Sequence, residues 1–405
     1  MNTIYDVGIV GAGVAGAFAT YKLAKEHKNI KTILFDLGRP PMKRRRQLEG
    51  WLGCLPNSDG KLYLHDIGEV SEIVGTRKSK SSFTWFNKVL SNVNDFHVTK
   101  DRQPNTAVLK KFKKIGYESH SNDFIQIYPK DIHLLSKFMA ESIEQNKNVT
   151  LKFDDEIVEV TKQKSSFSVK TESGSVYQCK KLIIAVGRSG WRWAYKLYSS
   201  LGIIDNNDTA RYGIRIEMNS NSMKDFNKSN LTFKKESVEL GPLSWYGTVI
   251  PEDHLDMAVS AFRSNENRWK SDKVSFNLIG NRPFSNQGFQ QTDRIGKLTF
   301  VITNDRIIKE RVSHIVSGKS KISILKDEYG WLPEVLTELG TVMPELLTKA
   351  YYHAPTIVPM APKINLGNNL ESEVNGMFVA GESAGIHGIL SAGLTGTIVA
   401  SEIVK

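Results

Sequence analysis

Cysteine is almost missing from this sequence: Cys54 and Cys179 are the only two in 405 residues, far apart, with no C-x-x-C spacing and no histidine cluster beside them. A disulfide framework, a zinc site and a redox-active disulfide are thereby disfavoured, and no metal ligands are expected. No run of roughly 18 apolar residues occurs, so no transmembrane helix is expected. The chain opens on Met-Asn-Thr-Ile-Tyr-Asp and lacks the basic, apolar, then small-residue order of a secretory signal, which makes the cytoplasm the expected compartment. Acid is also in short supply. Against 54 Lys and Arg stand 43 Asp and Glu, a net charge of +11 that attracts acidic ligands and polyanions but says nothing about fold. The densest patch, Lys43-Arg44-Arg45-Arg46 after Arg39, is either a solvated loop or a phosphate contact. With 40% hydrophobic and 24% charged residues the composition is that of a globular protein, long enough for two or three domains.

What is present begins at residue 11. Ile4 to Val10 reads as a short buried strand, Gly11-Ala12-Gly13-Val14-Ala15-Gly16 as a turn, and Ala15 to Glu26 as a helix with small residues where it approaches a sheet. Lys31 to Asp36 is a second strand ending in an acid twenty residues after Gly16. This is a βαβ dinucleotide fingerprint. Gly11 permits the tight turn, Gly13 lets the backbone approach a pyrophosphate, and Gly16 lets helix and strand pack. The unpaired N–H groups and positive end of the helix hold the diphosphate, and Asp36 is placed to accept from ribose hydroxyls.

A nicotinamide dehydrogenase would continue with further βα units, whereas a long basic, irregular stretch follows Asp36. Leu151–Val160, Ser166–Thr171 and Ser175–Lys180 read as an antiparallel meander, Leu182–Val186 as a buried strand running into Gly187, and Met377–Ala380 as a strand followed by Gly381-Glu382, a glycine-rich turn and a helix. Together these motifs resemble the FAD-binding domain of the glutathione-reductase-type flavoproteins. More narrowly, S-D-G-K-L at 58–62, R-Y-G-I-R-I-E at 211–217 and G-E-S-A-G-I-H-G-I-L-S-A-G-L-T-G at 381–396 are similar to the bacterial FAD-dependent, or NAD(FAD)-utilising, dehydrogenases of unassigned substrate. The sequence departs from that family in W-L-G-C-L-P-N before S-D-G-K-L and in Ile386-His387.

The resemblance implies an α/β fold: a Rossmann-like FAD-binding domain with a βαβ unit and a meander, from 1–65, 125–205 and 350–405, and a second, mostly antiparallel β-sheet substrate domain from 66–124 and 206–349. It implies FAD as cofactor. Gly11, Gly13, Val14, Ala15, Gly16, Asp36 and Leu37 would bind it from the first unit, Arg44, Asp59 and Gly60 from the following loop, and Ile157 and Val158 from the meander. Ala185, Val186, Gly187, Gly381, Glu382, Gly388 and Ile389 complete the set. The last helix is expected to aim its amino end at the pyrimidine side of the ring, where its dipole favours the reduced anion. His387 either does likewise, acts on substrate or caps the helix. Lys61 would favour the anionic ring if it lies near it; the alternative is an ordinary Asp-Gly β-turn.

In the second domain "ARYGIRIEM", "GPLSWYGTVIPE", "LDMAVSAFR" and "KLTFVIT" read as strands. Trp245 and Tyr246 are candidate pocket walls or plain core. Arg215 alternates with Ile214 and Ile216 and so points to solvent or into a cleft. The expected function is an FAD-dependent oxidoreductase that moves a hydride between flavin and an unidentified small substrate, with dehydrogenase, oxidase and reductase left open. No second GxGxxG follows "AVGRSG", so the reductant is the substrate itself, NAD(P)H held transiently, or a partner protein. A flavoprotein acting on or bound to nucleic acid is the less favoured alternative, because the lysines are scattered and no nucleic-acid-binding motif appears. Oligomeric state stays open.

Overall fold

The structure is a computed structural model that describes residues 3–205, 209–264, 266–283, 288–358 and 361–405. It divides into two compact units, Met1–His97 with Ile125–Asn206 and Pro359–Lys405, and Val98–Phe124 with Asn207–Val358.

In the first unit the apolar, β-branched runs form strands β1 (Ile4–Val10), β2 (Thr32–Phe35), β3 (Val149–Lys152), β4 (Ile157–Lys162), β5 (Phe167–Thr171) and β6 (Val176–Ile184). Their order is β3-β2-β1-β6-β5-β4, with the strand Met377–Val379 beside β6. Pairings from β3 through β6 and on to Met377–Val379 are parallel, and β6-β5-β4 is antiparallel. The expected strand 151–160 is therefore two strands with different neighbours. Asp154, at φ 58, turns the chain between them. The expected strands 175–180 and 182–186 are instead one, β6, whose two halves pair with different partners.

Helix α1 (Val14–Glu26) is buried from Val14 to Ala24, because it packs between the sheet, the helix Pro129–Glu144 and α3 (Ile389–Glu402), with Trp85 and Phe86 of α2 (Thr76–Leu90) against its Tyr21 and Phe18 rings. Small residues make this possible. A Cβ on Gly396 of α3 would stand 2.1 Å from the Ala15 carbonyl oxygen, and one on Gly393 would stand 2.3 Å from the Phe86 ring. Ser82 donates to the Leu394 carbonyl at 2.9 Å, so residues 66–97 belong with the first unit rather than the second.

The second unit is built on an eight-stranded sheet. At its centre β7 (Thr209–Asn219) pairs antiparallel with β8 (Lys273–Pro283) on one side and β9 (Tyr351–Ile357) on the other. That pairing places 351–357 here and not with the first unit. Tyr212, Ile214, Ile216 and Met218 bury one face of β7, and the opposite face carries Arg211, Arg215 and Glu217. Thr248–Pro251 and Ser260–Arg263 form a separate two-stranded ribbon. The expected strand 297–303 is helix, part of Gly288–Thr303: Thr292, Ile295, Gly296 and Thr299 are buried at helical spacing, and this tertiary stripe overrides the β propensity of the run.

The helix crossing at Gly396 gives the first prediction. Gly396→Val forces α3 off the Ala15 carbonyl and is expected to destabilise the protein by about 2–3 kcal/mol, read as a lower urea midpoint at unchanged m-value; an unchanged midpoint contradicts this packing.

Candidate functional site

The glycine-rich turn joins β1 to α1 at the carboxyl edge of the parallel strands, where open α/β sheets bind ligands. Its three glycines have different reasons. A Cβ on Gly11, at φ 100, would lie 2.3 Å from the Ala185 carbonyl oxygen, and one on Gly16 would lie 1.8 Å from the Gly11 carbonyl oxygen. The fold itself demands those two. Gly13, at φ −60 and ψ −175, has a backbone that any residue adopts, and a Cβ there would meet no closer atom than Ala185 O at 3.9 Å. Nothing within the described chain requires glycine at 13. Gly13 is also the N-cap of α1, with no side-chain cap and no acid in the first turn, so the leading N–H groups, including those of Val14 and Ala15, are not neutralised from within the helix.

The loop after β2 folds against this turn. The Leu52 N–H donates to the Ala12 carbonyl at 2.8 Å, and a Cβ on Gly53 would stand 3.2 Å from Gly13 Cα. Trp51, adjacent to Leu52 in sequence and buried, holds an indole N–H with no hydrogen-bond partner among the described residues. Asp36 ties the loop to the turn: one carboxylate oxygen accepts from Ala12 N–H at 2.6 Å, and the other from Gly38 N–H at 2.7 Å and Gly50 N–H at 3.0 Å. Burial pushes this carboxyl upward against the pull of the three donors. Of roughly four lone-pair sites on a carboxylate one is left, so Asp36 is first an organiser of the turn. Arg44 is likewise spent inside the loop, donating to the carbonyls of Arg46, Gln47 and Trp51, and not offered to a phosphate. Leu37 is exposed.

The strand ends supply the rest. Ala185 N–H continues the ladder to Val10 O, Val186 underlies Gly190, and Gly187, at φ 61, donates its N–H to Ser383 Oγ at 3.1 Å. Gly381, at φ 65, donates to Thr395 Oγ1 and abuts Ala15. Since Ile184 and Val379 are in register, residues just beyond them meet: Arg188 Nη1 lies 3.3 Å from Glu382 Oε1, and His387 Nδ1 lies 3.1 Å from Glu382 Oε2. In a neutral ring, an Nδ1–H aimed at Glu382 leaves Nε2 as the acceptor on this part-exposed imidazole.

Other expected positions serve different ends. Asp59 accepts the Lys61 N–H at 3.1 Å across Gly60, at φ 74, so S-D-G-K is a closed turn that opens the strand Lys61–Tyr63. The Ile157 side chain is core and its carbonyl accepts from Trp193, while Val158 is exposed on β4. The amino end of α3 is occupied. Asp66 Oδ2 accepts the Ser391 N–H at 3.2 Å, a Cβ on Gly388 would stand 2.1 Å from that oxygen, and Ile389 begins the helix directly above it. The expected free helix dipole is therefore met by a buried acid, whose carboxyl burial, with Glu69 nearby, pushes up to about 7. Sequence reasoning missed Asp66 and Arg188. Arg188 was accessible, since it follows the strand that neighbours the one before Glu382.

In the second unit Arg215 donates to Ser275 Oγ at 3.2 Å and faces the Phe262 ring at 5.5 Å, on the same sheet face as a buried ionic group. There Glu217 contacts Lys273 at 2.7 Å and His353 at 3.7 Å; burial opposes its ionisation, but these neighbours win and hold it down at about 2. Trp245 and Tyr246 line an open cavity to which Arg215 does not contribute, so the structure separates them.

No protein-family model matches the chain. An uncharacterized protein of Methanosarcina barkeri is 24% identical over 277 residues, 68% of this chain; the chain spans 58% of that relative's length. Among solved structures, the chain is similar to glycine oxidase from Geobacillus kaustophilus (14% identity, TM-score 0.42, 99% of this chain and 95% of that one). It is similar also to a halogenase solved with phloroglucinol and FAD (13%, 0.44, 99% and 69%) and to p-nitrophenol 4-monooxygenase from Pseudomonas putida (10%, 0.41, 98% and 77%). Among the described residues no helix is long and apolar enough to cross a membrane.

Asp66 gives a signed prediction. Its folded pKa is raised, so the folded state holds a proton that the unfolded state releases, and this carboxyl's contribution is lost as pH climbs from about 4 through 7. Asp66→Asn keeps an acceptor without the charge. It is expected to be more stable than the parent at pH 8, by up to about 4 kcal/mol, with the gap closing toward pH 4 in urea titrations; a pH-independent gap removes the assignment.

Proposed function

We propose that the first unit holds FAD and that the protein is an FAD-dependent oxidoreductase acting on a small molecule. The observation that carries this is Gly13: a glycine in a conformation open to any residue, at an uncapped helix terminus, above which the chain leaves room. The Trp51 indole N–H, which has no partner among the described residues and sits in the loop that folds on this turn, and the part-exposed Glu382, His387 and Arg188 fit the same conclusion. The motifs at 58–62 and 381–396 support the narrower kinship with the NAD(FAD)-utilising dehydrogenases.

When bound, FAD supplies hydride and electron transfer. The chain's residues do the rest. Gly13, Val14, Ala15 and Gly16 offer backbone N–H groups to the diphosphate, and Asp36 holds the turn in shape with one acceptor left for a hydroxyl. At the strand ends Glu382 orients His387, whose Nε2 can take or return a substrate proton, and Arg188 lies against the other carboxylate oxygen of Glu382. The second unit is read as the substrate domain, in which Arg215 is a candidate partner for an acidic group. The reductant is the substrate or NAD(P)H held transiently, in a protein read as cytoplasmic.

The test compares two glycines. Gly13→Val is expected to fold with a thermal midpoint within about 2 °C of the flavin-free parent, yet to retain under roughly one-tenth of its flavin, because the side chain fills the pyrophosphate space. Gly16→Val should lose the fold. Full flavin content in Gly13→Val would sink the assignment.

A further inference from the structure

The second unit carries an open cavity of about 490 Å³ that shares no residue with the cofactor site. That size falls within the usual range for small-molecule sites. Arg102, Lys224 and Lys228 contribute cations, Asn227 an amide, and Trp245 and Tyr246 two adjacent rings 6.2 Å apart. None of the described residues lining it is acidic. Glu345 reaches Lys224 electrostatically from outside the lining, which leaves Arg102 and Lys228 to give the cavity a net positive rim that favours an anion.

The walls are held in place. Trp245 pairs with Val274 of β8 and donates its indole N–H to the Ser229 carbonyl at 2.6 Å, which fixes the plane of the ring. Tyr246 is pinned by backbone bonds to Lys273 and Ser271 and sits at φ 61, a costly conformation for a bulky residue. Asn227 and Lys228, at φ 51 and 57, take the same left-handed region in succession. Lys228 Nζ stands 5.1 Å from the Tyr246 ring centroid, so cation and ring adjoin.

We propose that this cavity binds a small phosphorylated heterocycle of mononucleotide size, the planar ring against Trp245 and Tyr246 and the phosphate among Arg102, Lys224 and Lys228. Aromatic faces accept any base, whereas the cations require the phosphate, so both halves of the ligand are needed. Neither a bare polyanion nor a neutral nucleoside uses the whole site.

The experiment is equilibrium dialysis of labelled AMP against FAD-saturated protein, repeated on Gly13→Val to keep this site distinct from the flavin site. One AMP per chain is expected in both, with adenosine and inorganic phosphate each bound at least roughly tenfold more weakly. Trp245→Ala should weaken AMP binding roughly tenfold, and Lys224→Gln with Lys228→Gln at least as much, with a flatter salt dependence; circular dichroism should stay that of the parent. Absent binding, binding untouched by the lysine variants, loss of binding in Gly13→Val alone, or preference for a 12-nucleotide single strand over AMP would each overturn the proposal.

Discussion

The first unit depends on one close approach. At the β1–α1 turn three stretches of backbone meet with no room for a side chain: Gly11 lies against the Ala185 carbonyl and Gly16 against the Gly11 carbonyl. Such contact leaves the amide groups few ways to be satisfied, and Asp36 supplies one by gathering N–H groups from Ala12, Gly38 and Gly50. Hydrogen bonds to a charged acceptor contribute about 1.5–3 kcal/mol each, enough to hold an irregular loop on the turn. Gly13 is the exception that gives the turn its meaning, since the fold does not ask for it.

The parallel register organises the chemistry in the same way. Because β6 and Met377–Val379 run side by side and end together, Arg188, Glu382 and His387 are brought to one edge from distant parts of the chain. A carboxylate shared between a guanidinium and an imidazole fixes the tautomer of the latter. Across the unit's helical layer, Asp66 does something different: it meets the positive end of α3 with a carboxyl so buried that its charge is in question near neutral pH.

Much of this was legible in the sequence for physical reasons. The βαβ unit is local, and its period-two and helical patterns sit next to each other, so β1, α1 and β2 fall where residues 4–36 place them. The roles of Asp36 and Arg44 were not legible, because their partners are backbone groups of an irregular loop without periodicity. Asp66 lies 325 residues from the Ser391 amide it accepts from. The run at 297–303 shows the opposite failure: β-branched residues suggested a strand, but the burial stripe that makes them helical depends on what packs against them.

The most direct measurement is the visible absorption of the purified protein after incubation with FAD and removal of excess. Bound oxidised flavin at roughly one per chain, protected from washing, is what the architecture of the turn predicts. A protein that folds, keeps α1 and its sheet, and returns from the column without flavin would contradict the central claim.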